Sequence, residues 1–156
     1  MRRLRLAIAA CMVVGAANSV TVQPAQAVTT GVGPATAAAT CRGTSGVSVI
    51  VDYGTTGSGI DKRCAPGDPP SGLTALTGAS LPYTFVPRQP GLVCTINQVP
   101  DPCNGAPPTA YWSYWHLRAD KTWEFSSVGA GSYNPAPGAT EGWAFGKGKP
   151  PRVPRP

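Results

Sequence analysis

Four cysteines, Cys41, Cys64, Cys94 and Cys103, follow what reads as an export signal, and they constrain the chain more than any other feature. Residues 1–6 are basic through Arg2, Arg3 and Arg5, residues 6–17 are apolar and rich in small side chains, and Ala25 and Ala27 provide the small residues a signal peptidase needs. That apolar run is shorter than the roughly 20 residues of a bilayer span. Residues 1–27 are therefore read as a secretory signal peptide, and the fifth cysteine, Cys11, leaves with it. An even set of thiols in an oxidising compartment implies disulfides. Four cysteines allow three connectivities. Cys41 with Cys64 and Cys94 with Cys103 is preferred, because each pair brackets a local strand-and-turn stretch. Closing such loops contributes about 3 kcal/mol apiece in the chain-entropy description. Zinc is the competing use of four cysteines, but none of the spacings forms a C-x2-C knuckle, and no metal site is expected.

The formal charge of +6 suggests a nucleic-acid partner until it is divided along the chain. Arg2, Arg3 and Arg5 leave with the signal, and Lys147, Lys149, Arg152 and Arg155 crowd the last ten residues. Between residues 28 and 146, Arg42, Lys62, Arg63, Arg88, Arg118 and Lys121 face Asp52, Asp61, Asp68, Asp101, Asp120, Glu124 and Glu141. No basic groove for DNA or RNA is expected from that balance.

Residues 28–40, rich in Ala, Thr, Gly and Pro, read as a flexible spacer, and residues 147–156 read as a basic, Pro-rich, disordered tail. One domain, residues 41–146, lies between them, large enough for a modest core. Its 37 Gly and Pro in the whole chain of 156 favour turns and strands over helices. Residues 46–53 alternate so that Val47, Val49, Val51 and Tyr53 share one face, then meet a Gly/Thr/Ser turn, with residues 60–64 as the returning strand. Ser71 as cap, Leu73 and Leu76 three apart, and Gly78 as a stop predict one short helix. Residues 83–86, 92–96, 111–118, 122–127 and 142–145 are β-type. The order predicts an α+β fold: a mixed sheet with one helix packed across it.

Nine of the 12 aromatics, from Tyr111 to Phe145, fall within 35 residues. As a strand, residues 111–118 send Tyr111, Ser113, Trp115 and Leu117 to one face, and Trp112, Tyr114, His116 and Arg118 to the other. Both faces carry aromatics. Either both are packed, the default for a small domain, or one is an open platform suited to a flat ligand.

The order of motifs resembles the transcobalamin carboxy-terminal-like domain, a family of soluble-ligand-binding β-grasp modules. The resemblance rests on Val-Ser-Val-Ile-Val-Asp-Tyr-Gly from Val47, Leu-Thr-Ala-Leu-Thr from Leu73 and Pro-Gly-Leu-Val-Cys-Thr-Ile-Asn from Pro90. It continues through Tyr-Trp-Ser-Tyr-Trp from Tyr111, Ser-Ser-Val-Gly-Ala from Ser126, Tyr-Asn-Pro-Ala-Pro-Gly from Tyr133 and Glu-Gly-Trp-Ala-Phe from Glu141. It spans residues 46–145 and extends to small secreted actinobacterial members, which fits nine Arg against four Lys. It implies a β-grasp, ubiquitin-like fold, and in the animal vitamin carriers such a domain closes over cobalamin opposite a helical barrel that is absent here. By segment alignment it implies Trp112, Tyr114, Trp115, His116, Trp123 and Phe125 as ligand-binding residues. His116 is the sole histidine, read as a rim or hydrogen-bonding group rather than a cobalt ligand.

The function expected is thus a secreted, non-catalytic binding domain for cobalamin, another corrinoid or another flat ligand, acting alone or as accessory to a surface transport system. No cofactor is expected. Catalysis is not expected either: a serine hydrolase needs a base beside its nucleophile, and nothing in the sequence brings Asp52 to Glu124 or Asp120 to Glu141 as acid–base pairs. The alternative is an extracellular protein–protein interaction module serving a cell-surface protein. A third reading is a secreted protease inhibitor acting through residues 98–108, whose prolines would stiffen a substrate-like loop. The basic tail is expected to rest weakly on anionic wall polymer or a membrane surface.

Overall fold

Alternation of β-branched and polar residues makes residues 46–53 a strand, and its partners decide what the alternation is worth. A computed structural model describes residues 40–152; residues 1–27, read above as a signal peptide, and nearly all of residues 28–40, read as a spacer, lie outside the described residues. Seven strands and one helix follow in the order β1 (Gly46–Asp52), β2 (Ile60–Pro66), α1 (Gly72–Gly78), β3 (Tyr83–Val86), β4 (Gln89–Ile96), β5 (Tyr111–Leu117), β6 (Trp123–Phe125) and β7 (Thr140–Gly146). Five of them form one mixed sheet in the order β2-β1-β7-β5-β6, and β3 and β4 form a separate two-stranded sheet. The α+β expectation holds with that amendment.

β1 pairs antiparallel with β2 and parallel with β7, while β5 pairs antiparallel with both β7 and β6. Val47, Val49, Val51 and Tyr53 lie on the face that packs against α1, each at most 1% exposed. Ser71 caps α1 reciprocally with Thr74, as a capping box, and Ala75 and Leu76 are buried beneath it. Burying Leu76 contributes about 2 kcal/mol. Gly78 lies inside the helix rather than past its end; Ala79 is the cap residue. Both preferred disulfides are present: Cys41 to Cys64 ties the segment before β1 to β2, and Cys94 to Cys103 ties β4 to the Pro-rich loop.

β1 is buried on both faces, because the second face of the sheet is also covered. The expectation of a disordered tail that packs on nothing is corrected here for residues 147–152. Pro151 is buried and Arg152 reaches Asp52, whereas residues 153–156 lie outside the described part. Asp52, 2% exposed, accepts the Arg152 backbone N–H at 2.7 Å, its Nε at 2.9 Å, its Nη2 at 2.7 Å and the Gly54 N–H at 2.9 Å. Burial alone would push this carboxyl up, but the Arg152 guanidinium and the two backbone donors outweigh it and hold the group below the usual carboxylate range. The physical reason for the correction is that β1 carries a carboxylate into the sheet, and a buried charge requires a partner.

Gly142 makes this second layer possible. A Cβ on it would stand 2.7 Å from both Pro151 and the Trp123 ring, so the bare backbone of β7 is the bed on which both lie. Gly142→Ala should therefore destabilise the oxidised chain by about 1–3 kcal/mol, read as a lower urea midpoint. Arg152→Ala should also lower the urea midpoint, by leaving Asp52 short of donors. Asp52 is held below its unfolded value, so its contribution is present above that value and lost as pH falls through the folded one. The Arg152→Ala deficit should accordingly shrink in acid.

Candidate functional site

Tertiary structure divides the six sequence-predicted site residues by strand alternation. Trp112 and Tyr114 lie on the helix side of the sheet, with Tyr53, Trp143 and Phe145 around them. Trp112 meets Tyr53 edge-on at 5.6 Å and Phe145 at 5.2 Å, and Tyr114 lies 4.8 Å from Trp143. Trp115 and Trp123 belong to the opposite face. The Trp115 indole N–H donates to Ser113 Oγ at 2.9 Å, and its ring meets Phe125 edge-on at 5.2 Å. Trp123 lies over Gly142. Trp115 and Trp123 therefore do not join Trp112 and Tyr114 in one platform. Of the two openings left by the sequence, packing of both faces describes most of the aromatics: Trp112, Tyr114 and Trp115 are each less than 9% exposed.

Two depressions remain at the β5–β6 edge. One, of about 260 Å³, lies between residues 91–93, β5 and residues 125–130, with Trp112, Tyr114 and Trp143 in its lining and no charged side chain among its lining residues. The other, of about 240 Å³, is lined by His116, Glu124, Phe125, Ser126, Ser127, Val128 and Tyr133. Residues 125–128 border both. Phe125 and Val128, 52% and 45% exposed, put apolar surface at this shared wall.

Behind the wall lies a buried polar cluster that sequence reasoning did not assemble. Glu141, 1% exposed, accepts the Tyr114 hydroxyl on Oε1, and His116 Nδ1 lies 3.5 Å from the same oxygen. His116 Nε2 lies 2.8 Å from Ser126 Oγ. The Tyr133 ring stacks on the imidazole, with centroids 3.8 Å apart. Glu141 Oε2, His116 Nδ1 and the Trp143 indole nitrogen are buried without a hydrogen-bond partner. Gly72 opens the space: a Cβ there would run into the Tyr114 hydroxyl and stand 3.0 Å from Glu141 Oε2. Burial pushes Glu141 up to about 7 against the partial relief of the Tyr114 hydrogen bond, and burial lowers His116. Burial and the Glu141 charge raise Tyr114 and Tyr133, which keeps both phenols protonated at neutral pH.

The other carboxylates singled out from the sequence stay apart. Asp52 is held by Arg152, Glu124 pairs with Arg118 at 2.9 Å on the surface, and Asp120 accepts from the Thr122 backbone and hydroxyl. Ser126, Tyr133 and Trp143 were not named as site residues. The signals that pointed their way were the quoted motifs, which contain all three, and the aromatic-rich stretch, which contains Tyr133 and Trp143. Among the described residues no group of His, Cys, Asp and Glu is arranged to hold a metal ion, and no helix is long and apolar enough to cross a membrane.

Comparison of the chain with protein-family models, with curated proteins and with solved structures gives no match. The fold and site define a mixed α+β domain with two disulfides, an arrangement compatible with an extracellular protein.

The two unusual titrations oppose one another. Glu141 is raised from 4.5, so its contribution to stability is present below 4.5 and lost as pH rises through about 7. His116 is lowered from 6.5, so its contribution is present above 6.5 and lost as pH falls through the folded value. In the wild type the slopes partly cancel. In His116→Gln stability should fall with rising pH between 4.5 and 7, and in Glu141→Gln it should rise with pH up to 6.5, each by at most about 1.4 kcal/mol per pH unit. Urea unfolding at a series of pH values measures both slopes.

Proposed function

We propose that the chain is a secreted binding domain of the β-grasp type that takes the edge of a flat, uncharged ligand, with a corrinoid as the leading case. The β-grasp reading is supported by the strand order β2-β1-β7-β5-β6 with its central parallel pair, antiparallel partners on both flanks and a helix across one face. The β3–β4 hairpin is then an addition to that plan. The binding reading is carried by the groove beside Trp112, Tyr114 and Trp143, whose lining is aromatic, aliphatic and hydroxyl-bearing but uncharged. Such a surface favours a planar apolar body with hydrogen-bonding substituents and disfavours an ion, which would lose its hydration without a counter-charge.

At about 260 Å³ the groove encloses one ring or side group of a ligand rather than a whole corrin. Weak binding follows for a domain acting alone, and a partner closing over the exposed side would tighten it. Phe125 and Val128 at the rim favour that second participant, which keeps the interaction-module reading as the alternative. Lys147 and Lys149 are exposed and remain candidates for an anionic surface, whereas Arg152 is committed to Asp52.

The test is a titration of the oxidised chain from Val28 with cobalamin and cobinamide by equilibrium dialysis, with tryptophan fluorescence in parallel. Saturable binding is expected, weakened about tenfold by Val128→Asp, which alters the rim and spares the core; 1.4 kcal/mol corresponds to that factor. No uptake at high ligand concentration would sink the stand-alone corrinoid reading and leave the interaction module.

A further inference from the structure

Ser126 borders both depressions and stands at the head of a line of polar groups. Its Oγ is 2.8 Å from His116 Nε2, His116 Nδ1 is 3.5 Å from Glu141 Oε1, and the Tyr114 hydroxyl donates to that oxygen. Serine and imidazole stand within hydrogen-bond distance, and the buried carboxylate lies beside the far ring nitrogen but beyond a hydrogen bond, in the order by which a histidine removes a hydroxyl proton while a carboxylate stabilises the imidazolium. We propose that Ser126 is an activated nucleophile that accepts acyl groups from small uncharged esters, with His116 as its general base and Glu141 as the positioning carboxylate. This goes beyond the binding function and does not rest on it.

The sequence argued against catalysis because no base could be placed beside a nucleophile, and the structure supplies that pair. Fastening residues 126–133 to the sheet does not require the carboxylate behind the histidine. Ser126 already anchors the turn through its Oγ, which lies 2.7 Å from the Val128 carbonyl and 3.3 Å from the Val128 N–H, and through its own N–H to the Tyr114 carbonyl. A buried glutamate with one oxygen unpartnered costs stability and calls for a use. Burial also keeps the imidazole in its neutral, proton-accepting form at neutral pH, and the stacked Tyr133 ring fixes its plane.

In the reaction, rotation of the Ser126 hydroxyl turns its proton from the Val128 carbonyl to His116 Nε2. As Oγ bonds to the ester carbonyl carbon, that proton passes to Nε2. The carbon–oxygen bond to the alkoxy group then breaks, and the departing alcohol takes the proton from Nε2. Water repeats the sequence on the acyl-serine, releasing the acid and restoring the hydroxyl. The Val128 N–H is directed at Oγ itself and so contacts the attacking oxygen.

The oxidised chain is exposed to an alkyl fluorophosphonate and followed by intact mass and peptide mapping. The expected result is a single adduct on Ser126, absent from Ser126→Ala and formed about 100-fold more slowly in His116→Gln, with near-UV circular dichroism showing that each variant keeps its fold. Should His116→Gln not fold, the unaltered chain decides through the pH profile of labelling. The groups facing His116 are Glu141 on β7, Glu124 on β6, Tyr114 on its own strand, and Tyr133 and Ser126. A rate that rises through the neutral range, where Glu141 loses its proton at about 7, and then levels off identifies the imidazole and carboxylate as the base, whereas one that climbs with hydroxide through the alkaline range overturns the proposal. No adduct on the folded chain, or an adduct whose rate ignores His116→Gln, also overturns it. The labelling uses no corrinoid, so this proposal and the binding function succeed or fail separately.

Discussion

The parallel pairing of β1 with β7 joins two segments from opposite ends of the described chain, with Ser48 opposite Thr140 and Asp52 opposite Ala144. Everything that gives the molecule a site depends on it. Without it β5 and β6, which join the sheet through β7, would have no strand hydrogen bonds linking them to the β1–β2 hairpin, and the Trp143 and Glu141 that β7 sets beside Tyr114 would not be tied to β1. Long-range strand pairing carries a large closure entropy that is recovered only when the flanking faces pack. Here both faces do, one beneath α1 and the other beneath Trp115, Trp123 and Pro151. The Cys41–Cys64 loop encloses β1 and the Cys94–Cys103 loop runs from β4 towards β5, but neither cross-link joins β1 to β7, so hydrophobic burial and strand hydrogen bonds hold that pairing.

Charge is handled differently on the two faces. On one, Asp52 enters the sheet and is satisfied by a bidentate guanidinium and two backbone donors, a fully compensated ion pair that fixes the course of the C-terminal segment. On the other, Glu141 is buried with one phenol donor and a neutral imidazole nearby, and its second oxygen has no partner. The first arrangement serves the fold. The second is costly by the same physics, and it lies behind the only wall shared by the two edge depressions, where exposed Phe125 and Val128 also gather.

Much of the local architecture was legible in the residues. Val47, Val49, Val51 and Tyr53 face the core as their alternation required, Ser71 caps the single helix, and the cysteines pair across their local strand-and-turn stretches. The alternation of residues 111–118 also predicted which side chains share a face. It could not say what covers each face. Packing buries Trp115 and lays half-buried Trp123 over Gly142 on the side away from Trp112 and Tyr114, so part of the aromatic segment supports the sheet rather than lining the groove.

The tail and the polar cluster mark the boundary between what each level decides. Residues 147–152 have the composition of an unstructured segment, yet Arg152 is drawn to a carboxylate one hundred positions earlier and Pro151 to a glycine on β7. Ser126, His116 and Glu141 are unremarkable in sequence, separated by ten and by twenty-five positions. Side-chain periodicity and cysteine parity act over a few residues or in whole-chain arithmetic, so the sequence by itself determined strands, helix and covalent frame. Which polar groups meet was decided only by tertiary structure, because the register of β7 between β1 and β5 sets those distances and no local pattern encodes it.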